Sequence, residues 1–269
     1  NTVSATVVGV SNPQAIAMNS STNTAYVMAS SGGTLSILNV ANNVVSTLVL
    51  TNDTYSGIGV NPVTNLIYAP NLNNNTVYIV DGATNTATGT TISVGSMPNS
   101  VGVNSTTNTI YVANGADNTV SVINGATHSV TATIPVGSFP IGVAVNETTN
   151  RIYVINLLGG SVSVINGATN AVITTITVGT QPRGVDVNPV TNTIYASSYN
   201  SGTVSVINGA TNAVTSTITG VGGNLEGVAV NSALNTVYVA SANGFSVTVI
   251  NGVTNSIVTT VSTANGAWG

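Results

Sequence analysis

One tyrosine position returns six times along this chain. Tyr26, Tyr68, Tyr111, Tyr153, Tyr195 and Tyr238 are spaced by 42, 43, 42, 42 and 43 residues. A fixed period of ~40–50 residues built from short strands is the mark of a β-propeller, in which each unit buries its apolar face only by stacking on the next. The cleanest copy runs from Ile141 to Gly179. It divides into four strand-like runs separated by turn signals. The first ends in Gly-Val-x-Val-Asn (Gly184–Asn188), and the second surrounds the tyrosine (Ile152-Tyr153-Val154). The third reads Thr-Val-Ser-Val-Ile-Asn-Gly (Thr119–Gly125, Thr203–Gly209), and the fourth is Asn170–Val178.

The third run alternates Val120, Ser121, Val122, which gives a strand one buried face. Asn-Gly pairs at 124–125, 166–167, 208–209 and 251–252 are expected to supply the positive φ of tight connections. Asn-Pro at 61–62 and 188–189 is expected to open the turn between first and second strands. One position of the first strand is small (Ala17, Gly59, Gly102, Ala144, Ala229), with Asp186 the exception. No helical period is present. These readings predict an all-β, six-bladed β-propeller with four antiparallel strands per blade and one surplus terminal strand. The propeller is assigned to residues 11–263, an N-terminal strand to residues 1–10 and a tail to residues 264–269.

The surplus comes from a strand count. The first three runs occur six times each, but the fourth occurs seven times. Asn1–Gly9 matches Asn170–Gly179 with one residue deleted, and Asn255–Thr263 is a full fourth strand as well. Two ends therefore compete for one place, and an unpaired strand seeks another edge. Head-to-tail donation of this strand between copies gives filaments or sheets. The alternatives are a fifth strand on its own blade, a disordered end, or a chain cut from a longer array. Candidate assembly residues are Thr2, Val3, Ala5, Val7, Ile257, Val261 and the tail aromatic Trp268.

Composition narrows function. Only 3% of the residues are charged, and lysine is absent, against ~25% charged residues in an average soluble protein. Nucleic acid and anionic membrane are unsuitable partners for so few cations. Little charge also means little self-repulsion, which favours association. No apolar run approaches the ~20 residues of a membrane span. Sequons at Asn19, Asn52, Asn74, Asn104 and Asn146 are candidate glycosylation sites and suggest an extracellular or cell-surface protein. The start at Asn1 fits a removed signal peptide or a fragment.

Chemistry-bearing residues are few. The loops entering the first strands give the column Gln14, Ser56, Asn99, Ile141, Arg183 and Glu226, with Met97 and Phe139 beside it. Arg183, Asp186 and Glu226 are the candidate polar residues of a channel mouth, either holding a ligand or forming one ion pair. His128, the single histidine, stands where other units have Asn85, Asn170, Asn212 and Asn255, and reads as a turn variant. No cysteine, histidine cluster or calcium loop is spelled out, so no metal or cofactor is expected.

The Tyr-Val pairs at 26–27, 111–112, 153–154 and 238–239 and the Val-Ile-Asn-Gly-Ala-Thr runs resemble the YVTN family of β-propeller repeats. The sequence departs from that pattern at Tyr68-Ala69 and Tyr195-Ala196, and Ala, Ile or Met replaces the motif's threonine. The resemblance covers almost the whole chain. It implies the propeller fold, and relatives range from archaeal and bacterial surface-layer proteins to enzyme-like proteins. The residue patterns of lyase, sialidase and gluconolactonase-like propellers are missing. The expected function is a non-catalytic, extracellular structural subunit that self-assembles. The alternatives are a monomeric binding module for glycan or protein and, remotely, a lactonase-like enzyme.

Overall fold

The computed structural model describes residues 10, 12–40 and 44–263. Among them, every regular element is a strand, and the strands form six four-stranded antiparallel sheets in sequence order. The first sheet is Pro13–Asn19, Thr24–Ala29, Thr34–Asn39 and Val44–Val49. The last is Leu225–Asn231, Thr236–Ser241, Ser246–Asn251 and Ser256–Ser262. The fold is an all-β six-bladed β-propeller. Its strands fall into two compact units, one with the first three sheets up to Pro135 and one with the last three from Val136.

The tyrosines explain the period. Tyr26, Tyr68, Tyr111, Tyr153 and Tyr195 have no exposed surface, and Tyr238 is half-buried. Each faces the small first-strand position across the sheet: Ala17, Gly59, Gly102, Ala144 and Ala229 lie opposite Tyr26, Tyr68, Tyr111, Tyr153 and Tyr238. Each core is also shared between consecutive sheets. Tyr153 packs with Val187, Ile194, Ala196 and Ile207 of the sheet after its own, and Tyr195 packs with Val237, Val239 and Ile250. A buried aromatic removes ~150–250 Å² from water, about 4–6 kcal/mol at ~25 cal/mol per Å². Gly59 is small for a second reason, since a Cβ there would lie 2.7 Å from Val101 Cγ1 of the next sheet.

A second set of contacts ties sheet to sheet, and it is polar. The asparagine that ends a first strand is fully buried at Asn19, Asn61, Asn104, Asn146 and Asn188. Its Nδ2 donates to the Oδ1 of an asparagine in the following sheet: Asn19 to Asn65 at 2.6 Å, Asn61 to Asn108 at 2.9 Å, Asn146 to Asn192 at 2.9 Å and Asn188 to Asn235 at 2.7 Å. Its own Oδ1 holds the turn, as where Val63 and Thr64 N–H donate to Asn61. The Asn-Pro turn expectation is met there.

The Asn-Gly expectation needs correction. In the five third-to-fourth turns from the second sheet onward the left-handed residue is Asn85, His128, Asn170, Asn212 or Asn255, at φ 53–55°, and not the glycine. His128 is thus the turn variant expected of it. Gly125, Gly167, Gly209 and Gly252 are required for closeness instead, because a Cβ on each would fall on Oδ1 of Asn108, Asn150, Asn192 or Asn235. The glycine N–H also donates to the same residue's carbonyl, as in Gly209 to Asn192 at 2.8 Å.

Burial bears on three of the candidate glycosylation sites. Asn19, Asn104 and Asn146 have no exposed surface, and the amides of Asn19 and Asn146 are spent on the neighbouring sheet. A glycan on any of them needs a side chain the folded protein encloses. Asn52 and Asn74 are exposed.

Candidate functional site

Three of the chain's eight charged residues meet in one place, between the fifth and sixth sheets. Arg183 and Asp186 lie on Pro182–Asn188, the first strand of the fifth sheet, and Glu226 lies on Leu225–Asn231, the first strand of the sixth. Arg183 Nη1 donates to both Glu226 oxygens, at 3.1 and 2.9 Å. The Tyr199 ring covers the guanidinium at 4.2 Å, and Asn224 Nδ2 donates to the Tyr199 hydroxyl at 2.9 Å. The strands approach closely because residue 184 is glycine, whose added Cβ would collide with the Glu226 carbonyl. Ser197 Oγ donates to that carbonyl at 2.9 Å and accepts from Gly184 N–H at 3.1 Å.

Asp186 is a second tie between the same strands. Its Oδ1 accepts from Val187 N–H and its Oδ2 from Val230 N–H, both at 2.8 Å. It occupies the position that is Ala or Gly elsewhere, opposite Tyr195. The residue as a whole keeps some surface, but its carboxyl group is densely surrounded. Burial pushes its pKa up to about 6 against the opposing pull of the two N–H donors.

The sequence-derived trio is therefore brought together, as an ion pair and a backbone clamp. Both groups are engaged: Arg183 Nη1 is held by Glu226 and the guanidinium is covered by Tyr199, while Arg183 Nε has no hydrogen-bond partner, and each Asp186 oxygen accepts a backbone N–H. His128 stands in a turn of the third sheet. Among the described residues no group of three or more His, Asp or Glu is placed to hold a metal ion, and no helix is long and apolar enough to cross a membrane.

The clamp gives Asp186 a distinct pH signature. Its folded pKa is raised above the unfolded value of ~3.9, so the folded state binds the proton more tightly between those values. Stability contributed by this group is greatest below pH ~3.9, declines as pH rises to about 6, and stays lower by about 3 kcal/mol above that. Asp186→Asn is expected to flatten this slope, measured as urea-unfolding free energy from pH 4 to pH 7.

Two other polar places exist in the first unit. Asp53 accepts from Asn71 Nδ2 at 2.9 Å and Asn74 Nδ2 at 3.3 Å, and hydrogen bonds led by Asn71 hold its carboxyl below the usual range. A cavity of about 560 Å³ is lined by Ser93, Asp117, Thr119, Ser121 and Thr133 with Val94 and Val130. The sequence reading missed both, because they combine residues from different repeats.

Ile257 and Val261 pair with Ile250 and Val247 of their own sheet. The C-terminal strand therefore fills the fourth place of the sixth blade. Thr2, Val3, Ala5, Val7 and Trp268, with the N-terminal strand and the tail, lie outside the described residues.

No protein-family model matches the chain, and no curated protein matches it. Among solved structures it is similar to Kuenenia stuttgartiensis hydrazine synthase. The identity is 18%, the TM-score is 0.85, and the match covers 99% of this chain and 91% of the other. At that identity the likeness is one of fold.

Proposed function

We propose that the protein is a non-catalytic, extracellular structural subunit, a propeller of the YVTN-repeat kind it resembles, that assembles head to tail through a strand donated by residues 1–9. One observation carries this reading. All six sheets are complete with strands from Pro13 to Ser262, while the sequence holds a seventh fourth-strand copy at Asn1–Gly9. A strand copy beyond the four places of each sheet is suited to pair with the edge of another molecule. The low charge supports association, since no fourth strand carries a charged residue to repel a partner edge. The non-catalytic part of the reading is supported by the pairing of Arg183 with Glu226 and by the two backbone N–H groups on Asp186.

Sedimentation and electron microscopy of the full chain test this. Large regular polymers are expected, and deletion of residues 1–9 should yield folded monomers. A full chain that stays monomeric at high concentration overturns the reading. The hydroxyl-lined cavity supports a second one, in which the protein presents a sugar-binding pocket. In that case a monomer would bind oligosaccharides, and Asp117→Ala would abolish binding.

A further inference from the structure

Outer strands expose a row of unpaired backbone groups, and five of the six are disrupted. The register against the third strand breaks between Tyr78 and Val80, Val122 and Ile123, Val164 and Ile165, Val206 and Ile207, and Val249 and Ile250. At three of these bulges a threonine hydroxyl folds back to the third strand's carbonyl: Thr88 to Ile79 at 3.1 Å, Thr131 to Val122 and Thr215 to Val206 at 3.2 Å. A bulge bends the edge and spoils it as a template for another strand.

The first sheet has no such guard. Val44–Val49 pairs with Thr34–Asn39 without a break. The cause is in the sequence: Asn39 to Leu48 is one residue shorter than the equivalent Asn124 to Ile134. The phase of the ladder is also fixed. Leu50 N–H donates to the Gly33 carbonyl at 2.9 Å. Alternation along an antiparallel pair then turns the backbone groups of Leu48 and Ser46 inward and those of Val45, Thr47 and Val49 outward. Among the described residues no strand pairs with this outer side, and it carries no charge.

We propose that this straight edge, Val45, Thr47 and Val49, receives residues 1–9 of a second copy of the chain. The inference rests on the strand-donation reading and adds the acceptor. Nine residues are ample for a six-residue edge. A copy's own segment does not reach when paired along its full length. Its strand would lie four interstrand spacings from Pro13, ~19 Å, whereas residues 9 to 13 span ~14 Å when extended. Donation from copy to copy is heterologous, so the chain of contacts extends rather than closing on a pair.

The test is Thr47→Pro in the full chain, compared with the wild type by sedimentation and circular dichroism. The Thr47 N–H points away from its own sheet, so proline removes an outward donor and no internal bond. The expected result is a folded monomer where the wild type forms polymers. A folded variant that polymerises like the wild type overturns the acceptor while leaving strand donation standing. A monomeric wild type overturns both. Should the variant fail to fold, cysteine pairs decide, since the chain has no native cysteine. Chains with Thr47→Cys, mixed with chains carrying Val3→Cys, Ala5→Cys or Val7→Cys, should link through a short thiol cross-linker. No mixed product from any of the three overturns the proposal.

Discussion

Tyr153→Ala is expected to lower stability by about 3–5 kcal/mol, the cost of emptying a buried aromatic site. Tyr153 has no exposed surface and packs against Val187, Ile194, Ala196 and Ile207 of the following sheet, so the cavity opens where two sheets meet. Rigid strands on both sides limit collapse into it, which places the cost at the upper end. The phenylalanine variant should behave in the opposite way. The Tyr153 hydroxyl is buried and has no hydrogen-bond partner, and burial raises its pKa above the ordinary tyrosine value. Removing an unsatisfied polar group relieves a penalty of ~1–3 kcal/mol. Tyr153→Phe is therefore expected to unfold at a urea midpoint equal to or above the wild type, with an unchanged slope. A loss comparable to that of the alanine variant would show that the hydroxyl, and not the ring, holds the sheets together. Tyr68 belongs to the same class: its hydroxyl is also unpartnered, and burial pushes its pKa up to about 12.

The second large effect is expected at a surface turn. Gly209→Ala should cost about 3 kcal/mol, although the glycine's φ suits any residue, because the new Cβ lands on Asn192 Oδ1 and 2.8 Å from the Asn192 carbonyl. Asn192 must then move, and its Oδ1 is the acceptor for the buried Asn146 amide of the preceding sheet. The variant combines local overpacking, ~1–3 kcal/mol, with a buried donor left unpaired, ~1–3 kcal/mol. A double-mutant cycle with Asn146→Ala separates the two. If the glycine acts through Asn146, the costs should be strongly non-additive. Full additivity would remove the asparagine link from the explanation.

These two sites show different degrees of legibility. Six tyrosines at near-equal intervals are enough to give the blade count, because a fixed period is a property of the chain itself. The four runs per unit, their alternation and the turns that follow Asn61 and Asn188 are local as well. So is the role of His128, since it occupies a left-handed position filled by asparagine in other units. The meeting of Arg183 with Glu226 was also foreseeable, since they hold the same place in consecutive repeats.

What sequence did not reveal depends on contact between residues far apart in the chain. Asn-Gly suggests positive φ to a reader of dipeptides, yet Gly209 is needed because another part of its sheet passes too close for a Cβ. A sequon at Asn146 is three residues of text, but its amide faces Asn192, 46 positions away. Asp186 reads as an odd residue in a small column until Val230 N–H is found against its carboxylate. The sequence by itself determined the number and kind of strands, because strand periodicity and turn chemistry act over a few residues. Only the tertiary structure decided which asparagines are buried and which glycines are steric. Those properties arise where strands distant in the chain come within hydrogen-bonding distance.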